Sequence, residues 1–320
     1  MSVSTVAREL FPGFEPFDSM TGDGITIHGM RAGTGMPILL LHGFPQSHVM
    51  WHRVAPVLAE RFTVVVTDLR GYGDSTLPDV DSAHSPHSFR AMAADQAAVM
   101  QRLGFDRFVV VGHDRGARAA HRMALDFSDA VSGIVLLDIM PTEWVYANVD
   151  AELALAYYHW FMFPQPDGLP EKFLEADPIG YLHSVLGVGG HSAVGAKGDA
   201  YHPSALAEYE RLFADPMRRL ATIEDYRAAA TIDLQHDAQS REAGRLIDCP
   251  CHVAWGANGM IARAGHSPVD VWRELSRRPE LVTGGEVAGA GHFLVDEFPD
   301  EIGQLIADFA ASATPVFRRG

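Results

Sequence analysis

The chain has 320 residues, 47% of them hydrophobic, enough to bury one sizeable α/β core with room for an insertion. Its formal net charge of −16 argues against nucleic acid and anionic membrane surfaces as partners, and makes any anionic substrate depend on local cations. No apolar run approaches a membrane span or a signal-peptide core, and Cys249 and Cys251 are too close for an ordinary disulfide or metal pair, so the reading is a reduced, cytoplasmic chain.

In chain order, residues 25–28 predict an early strand and Pro37–Leu41 a buried parallel one. The second runs into His42-Gly43-Phe44-Pro45-Gln46, a loop able to aim the Phe44 N–H into an anion hole shared with the Arg115 N–H. The same His42-Gly43 pair also suits a tight turn packed by an imidazole. A helical stretch follows over residues 47–60. His48 and His52 have the i, i+4 spacing of a zinc helix but no Glu after the first His, so they read as a helix face. A strand over residues 62–66 ends in Asp68-Leu69-Arg70-Gly71-Tyr72-Gly73-Asp74-Ser75, a shaped loop with no Gly-Lys-Ser/Thr to make it a phosphate cradle. A helix over residues 88–103 leads to the stretch that organises the chain.

That stretch is Val109-Val110-Val111-Gly112-His113-Asp114-Arg115-Gly116-Ala117-Arg118. A β-branched run ending in Gly-x-Asp-x-Gly and continuing into helix formers predicts a sharp strand-to-helix turn that thrusts Asp114 into a site above the sheet. A carboxylate is ionised at neutral pH and can displace a leaving group from an sp³ carbon directly, forming an ester on the protein. That argues against esterase or peptidase chemistry through a serine. The competing role for Asp114 is a cap on the helix that follows.

Residues 134–141 read as another buried strand, and the strand–helix alternation predicts a mostly parallel sheet covered on both faces. From 142 to 232 the pattern turns helical and aromatic, a lid inserted between sheet strands, with core domain segments 1–141 and 233–320 on either side. Within it, residues 187–198 are glycine-rich without P-loop spacing and read as a mobile lid loop. The sheet resumes at residues 252–256, its last strand ending near 289–292, and a terminal helix covers residues 297–312.

His292, in glycine-rich text after the last strand, is the base, because nucleophile first and base last is the chain order such an elbow requires. Its acid would ordinarily follow the next-to-last long strand, but Gly256-Ala257-Asn258-Gly259 offers no carboxylate. Asp138, at the end of the strand after the elbow, is the substitute; a cap at the entrance to the lid is its alternative role. Arg115 and Arg118 lie one and four places after Asp114, where two guanidiniums would keep the carboxylate anionic and grip a small carboxylate substrate in a planar, bidentate way. A surface ion-pair role is the alternative.

Taken together, Gly112-His113-Asp114-Arg115-Gly116 with Arg118, His42-Gly43-Phe44-Pro45, His159-Trp160, Asp225-Tyr226-Arg227 and Gly291-His292-Phe293 resemble the fluoroacetate (haloacetate) dehalogenases of the α/β-hydrolase fold. The similarity runs over roughly residues 20–312. It implies that Asp114 attacks the halogen-bearing carbon, that Arg115 and Arg118 hold the substrate carboxylate, and that His292, oriented by Asp138, activates water against the resulting ester. By the same analogy His159, Trp160 and Tyr226 donate to the departing halide, no metal or organic cofactor is needed, the partners are a small anionic haloacid and water, and the assembly is a homodimer. A haloalkane dehalogenase or epoxide hydrolase shares the elbow, but a neutral substrate has no use for two arginines. A small-carboxylate binding protein on the same scaffold would gain nothing from a turnover base.

Overall fold

The computed structural model describes residues 9–190, 192 and 194–313. Eight strands form one sheet in the order β1-β2-β4-β3-β5-β6-β7-β8, with β1 (Glu15–Met20), β2 (Thr26–Ala32), β3 (Pro37–Leu41), β4 (Thr63–Thr67), β5 (Phe108–His113), β6 (Val131–Leu137), β7 (Cys251–Gly256) and β8 (Val282–Val287). β1 and β2 pair antiparallel at one end, and every pairing from β4 to β8 is parallel. β5 and β6 are buried along their whole length because helices cover both faces, which is why they read as unbroken apolar runs rather than alternating ones.

One helical layer packs Phe89–Arg102 against Arg115–Asp126; another packs Ala55–Ala59 against Pro299–Ala313. The chain after β3 and the chain after β5 thus leave adjacent strands for different layers. That opens a crevice at their carboxyl ends, the place where α/β sheets bind ligands. Phe44 follows β3 and Asp114 follows β5, so the topology itself brings these two residues together.

Between β6 and β7 the described chain is helical: Thr142–Ala147, Ala151–Ala156, His159–Met162, Leu169–Ala176, Pro178–Leu186, Pro203–Ala214, Pro216–Ala230 and Ile232–Glu242. Several start where a capping side chain precedes a proline, as at Asp215, which accepts from the Met217 N–H at 2.9 Å with Pro216 in the first helical position. The inserted helices are fastened to the sheet side by Gln46 donating to the Tyr209 hydroxyl at 3.2 Å and by the Phe89 N–H donating to Asp233 at 3.0 Å.

Two strand bounds need correction and one strand was not predicted. β1 gives no sequence signal, since only Ser19 of its six residues is buried. β6 begins and ends earlier than residues 134–141, because Asp138 takes φ +52° and turns the chain out of the sheet. The last strand stops at Val287, short of residues 289–292. The glycine-rich piece, read as a mobile loop, is docked on the loop that carries His292: the His292 N–H donates to the Val194 carbonyl at 3.2 Å, and a Cβ on Gly195 would meet the Asn258 carbonyl at 2.5 Å. Residues 191 and 193 of that piece, and the first eight residues of the segment read for a leader, lie outside the described residues. No helix is long and apolar enough to cross a membrane among the described residues.

Candidate active site

The elbow is built by close backbone packing. Asp114 holds φ +47°, ψ −113°, a strained conformation for a side-chain-bearing residue, and its N–H donates to the Leu137 carbonyl at 3.2 Å. A Cβ on Gly116 would run into the Leu41 carbonyl at 2.6 Å, and one on Gly43 would meet the Asp114 Cβ at 2.5 Å. Only glycines allow β3, β5 and the helix after the elbow to approach this closely. The Asp114 side chain makes no capping bond to its helix, so it is free to face the crevice.

Asp114 and its surroundings are buried, with 6% of the residue exposed. The Phe44 N–H donates to Oδ1 at 3.0 Å, while Oδ2 accepts no hydrogen bond among the described residues. Burial pushes the carboxyl up, but His292, then Arg115, His113 and Arg118, outweigh it and bring it down to about 2. The group is therefore a carboxylate with one oxygen held and one available. The other half of the expected anion hole, the Arg115 N–H, stands at the first residue of the helix.

His292 Nε2 lies 4.0 Å from Asp114 Oδ2, and its Nδ1 is 2.6 Å from Asp138 Oδ2. Asp138 is held in turn by the Gly256 N–H, which donates to Oδ1 at 3.0 Å. Burial lowers the His292 imidazole, but the Asp138 hydrogen bond and the charges of Asp138, Asp114 and Glu297 raise it above its ordinary value. The carboxylate missing from the turn after β7 is thus supplied by Asp138 across the β6–β7 pair, and that turn supplies a backbone donor to it. On the far side, His113 Nε2 is 2.8 Å from the His292 carbonyl, which ties the base loop to the elbow strand.

Both arginines are buried and neither is a surface ion pair. Arg118 Nη1 donates to the Met140 carbonyl at 2.9 Å and to Thr142 Oγ1 at 3.0 Å, and the guanidinium lies over Trp160 at 4.4 Å. Burial brings it down to about 10, against the pull of Asp114. Arg115 is paired with Asp225 and lies over Tyr226 at 4.1 Å. Arg115 Nη1 and Arg118 Nε are buried with no hydrogen-bond partner. Such donors are costly to strand in an interior.

The three aromatic residues named from the sequence pack together. Ring centroids of His159 and Trp160 lie 5.4 and 6.0 Å from that of Tyr226, and the Tyr226 hydroxyl is buried without a partner. Burial drops the His159 imidazole to about 3, leaving a neutral ring with one N–H, and burial followed by the Asp114 charge pushes the Tyr226 phenol well up. Each is a neutral donor at working pH.

The family model of the alpha/beta hydrolase fold matches residues 36–299. The chain belongs to that family. The hydrolase is 42% identical over 304 residues to the fluoroacetate dehalogenase of a Burkholderia species, covering 95% of this chain and 96% of the relative. It is 30% identical over 289 residues to the soluble epoxide hydrolase of a Corynebacterium strain, covering 90% and 93%. Among solved structures, a Nostoc protein assigned to the α/β hydrolases superposes with a TM-score of 0.87 at 49% identity, covering 92% of this chain and 97% of that one.

Some of the hydrolase's site was not legible beforehand. Asp225 stands next to Tyr226 in a quoted motif, yet its bond to Arg115 was missed; the signal was that a buried arginine needs an anion. Tyr72, in the shaped loop after β4, donates its hydroxyl to Asp225 at 2.7 Å. His42 fills the turn role: its Nε2 accepts from the Leu69 N–H at 3.1 Å. His48 lies in a 3-10 helix with Nδ1 2.9 Å from Asp68 Oδ1, and no group of three His, Cys, Asp or Glu among the described residues is arranged to hold a metal.

Proposed function

We propose that this enzyme hydrolyses the carbon–halogen bond of small 2-haloacids such as fluoroacetate, giving the 2-hydroxy acid and halide. The observation that carries the reading is the pair of unpartnered buried donors, Arg115 Nη1 and Arg118 Nε, beside a carboxylate nucleophile. Two guanidiniums suit the carboxylate of the substrate, and the identity to a fluoroacetate dehalogenase supports the same assignment. The substrate and water are the reacting partners. Of the helices between β6 and β7, those within residues 142–232 act as a lid domain, and a homodimer is the proposed assembly.

In the first step Asp114 Oδ2 attacks the halogen-bearing carbon from behind. A C–O bond forms, the C–X bond breaks, and the electron pair leaves with the halide toward His159, Trp160 and Tyr226. A hydrogen bond to a charged acceptor contributes about 1.5–3 kcal/mol, so three donors that strengthen as charge develops suit even a poor leaving group such as fluoride. In the second step His292, oriented by Asp138, takes a proton from water, and the oxygen adds to the Asp114 carbonyl carbon. Oδ1 becomes the oxyanion and stays on the Phe44 N–H, joined by the Arg115 N–H. Collapse returns the Asp114 carboxylate and releases the hydroxy acid, with one net proton delivered to solvent.

The Corynebacterium relative favours epoxide opening as the second reading. The test offers purified protein chloroacetate, fluoroacetate, a haloalkane and an epoxide, with halide and diol followed. Halide from the two acids is expected. Turnover of the neutral compounds with none of the acids would overturn the assignment in favour of epoxide or haloalkane chemistry, and binding of acetate with no turnover of any compound would indicate a binding protein.

A further inference from the structure

Arg115 is held in place by a residue of the inserted helices. Asp225, on Pro216–Ala230, is fully buried, and its Oδ2 accepts from Arg115 Nε at 2.8 Å while its Oδ1 accepts from Nη2. The Asp225 carbonyl accepts from the same Nη2 at 2.9 Å, and the Tyr72 hydroxyl donates to Oδ2 at 2.7 Å. Three of the five N–H groups of Arg115 are thereby used, and the two on Nη1 are left over. Arg118, by contrast, bonds only to neutral oxygens.

Arg118 is fixed by the Met140 carbonyl and Thr142 Oγ1, whereas Arg115 is fixed, among the described residues, by Asp225. Among the described residues neither arginine lies within ion-pair distance of Asp114. We propose that Asp225 is a positioning residue for substrate recognition: it fixes the Arg115 guanidinium through Nε and Nη2 and leaves Nη1 as the donor that meets the substrate carboxylate. Arg118 is then the cation of the clamp that has no carboxylate partner of its own. Because Arg115 comes from the elbow helix and Asp225 from the inserted helices, the clamp is complete only when the two are packed together. The inference rests on the reading of the arginines as a carboxylate clamp.

The test is a double-mutant cycle of Asp225→Asn and Arg115→Lys, read as chloroacetate turnover and, independently, as acetate affinity by calorimetry. Asp225→Asn alone should raise KM about tenfold with kcat within about threefold, since the clamp binds the carboxylate equally before and during reaction. In the Arg115→Lys background the same change should have an effect of less than about twofold, because its only route of action is gone. Independent, multiplying effects, a fall in kcat at constant KM, or no effect would each overturn the proposal. Where Asp225→Asn does not fold, Tyr72→Phe takes its place in the cycle, with about a threefold rise in KM expected, lost in the Arg115→Lys background. A wild-type protein that releases no halide from chloroacetate refutes the dehalogenase reading, while acetate affinity across the same variants still decides the role of Asp225.

Discussion

His292 Nε2 stands 4.0 Å from Asp114 Oδ2, beyond hydrogen-bond reach, while its other nitrogen is 2.6 Å from Asp138. The imidazole is fastened on one side and leaves a gap on the other. That spacing suits the proposed two-step displacement, in which Asp114 attacks without surrendering a proton and the imidazole later faces a water.

If the base serves only the second step, His292→Asn should release about one halide per site and then stop. Intact-mass measurement after incubation with chloroacetate should show the protein carrying a carboxymethyl ester, and digestion should place it on Asp114. Unmodified protein alongside a halide burst would contradict a covalent route.

The pH profile follows from two shifts of opposite sign. Asp114 is lowered to about 2 and stays ionised through the working range, whereas His292 is raised above its ordinary 6.5 and must lose its proton to act. Steady-state turnover should therefore climb with pH along a limb centred above 6.5, with His292 as the titrating group. Ester formation by His292→Asn should be flat between about pH 6 and 9, where an Asp carboxyl is already ionised. A limb that survives in that variant would assign the titration elsewhere.

Tyr226→Phe removes one donor from the proposed halide site and changes no charge. Fluoride release should slow by roughly 10- to 100-fold, the rate equivalent of about 1.5–3 kcal/mol. Bromoacetate, with a better leaving group, should lose less than about fivefold. Equal losses on both substrates would mean that the hydroxyl packs the site rather than assisting departure.

Gly116→Ala places a methyl against the Leu41 and His42 carbonyls, neither of which can turn aside. Overpacking of this kind costs about 1–3 kcal/mol, so the thermal midpoint should fall by several degrees, with activity lost in proportion to any shift of Asp114. An unchanged midpoint would show that the elbow has slack the geometry does not suggest.

Several residues that the structure brings together could be named from the chain because their signals are local. An apolar β-branched run flanked by glycines announces the elbow, and chain order singles out His292 among sixteen histidines. Asp138 was reachable by elimination, since the turn after β7 carries no acid. The edge strand β1 was not, because with one buried residue in six it carries no apolar pattern to set it apart from a loop.

Sequence by itself determined which chemical groups are present and in what order: a carboxylate between glycines at a strand-to-helix turn, a late histidine and two arginines three residues apart on one helix. Only the tertiary structure decided which partner each of them has. The Asp225–Arg115 pair joins residues 110 positions apart, and the His292–Asp138 pair joins residues 154 apart. Local preferences set φ, ψ and periodicity, whereas contacts at such separations arise from how the sheet orders its strands and from the requirement that every buried charge find a counter-charge or a donor.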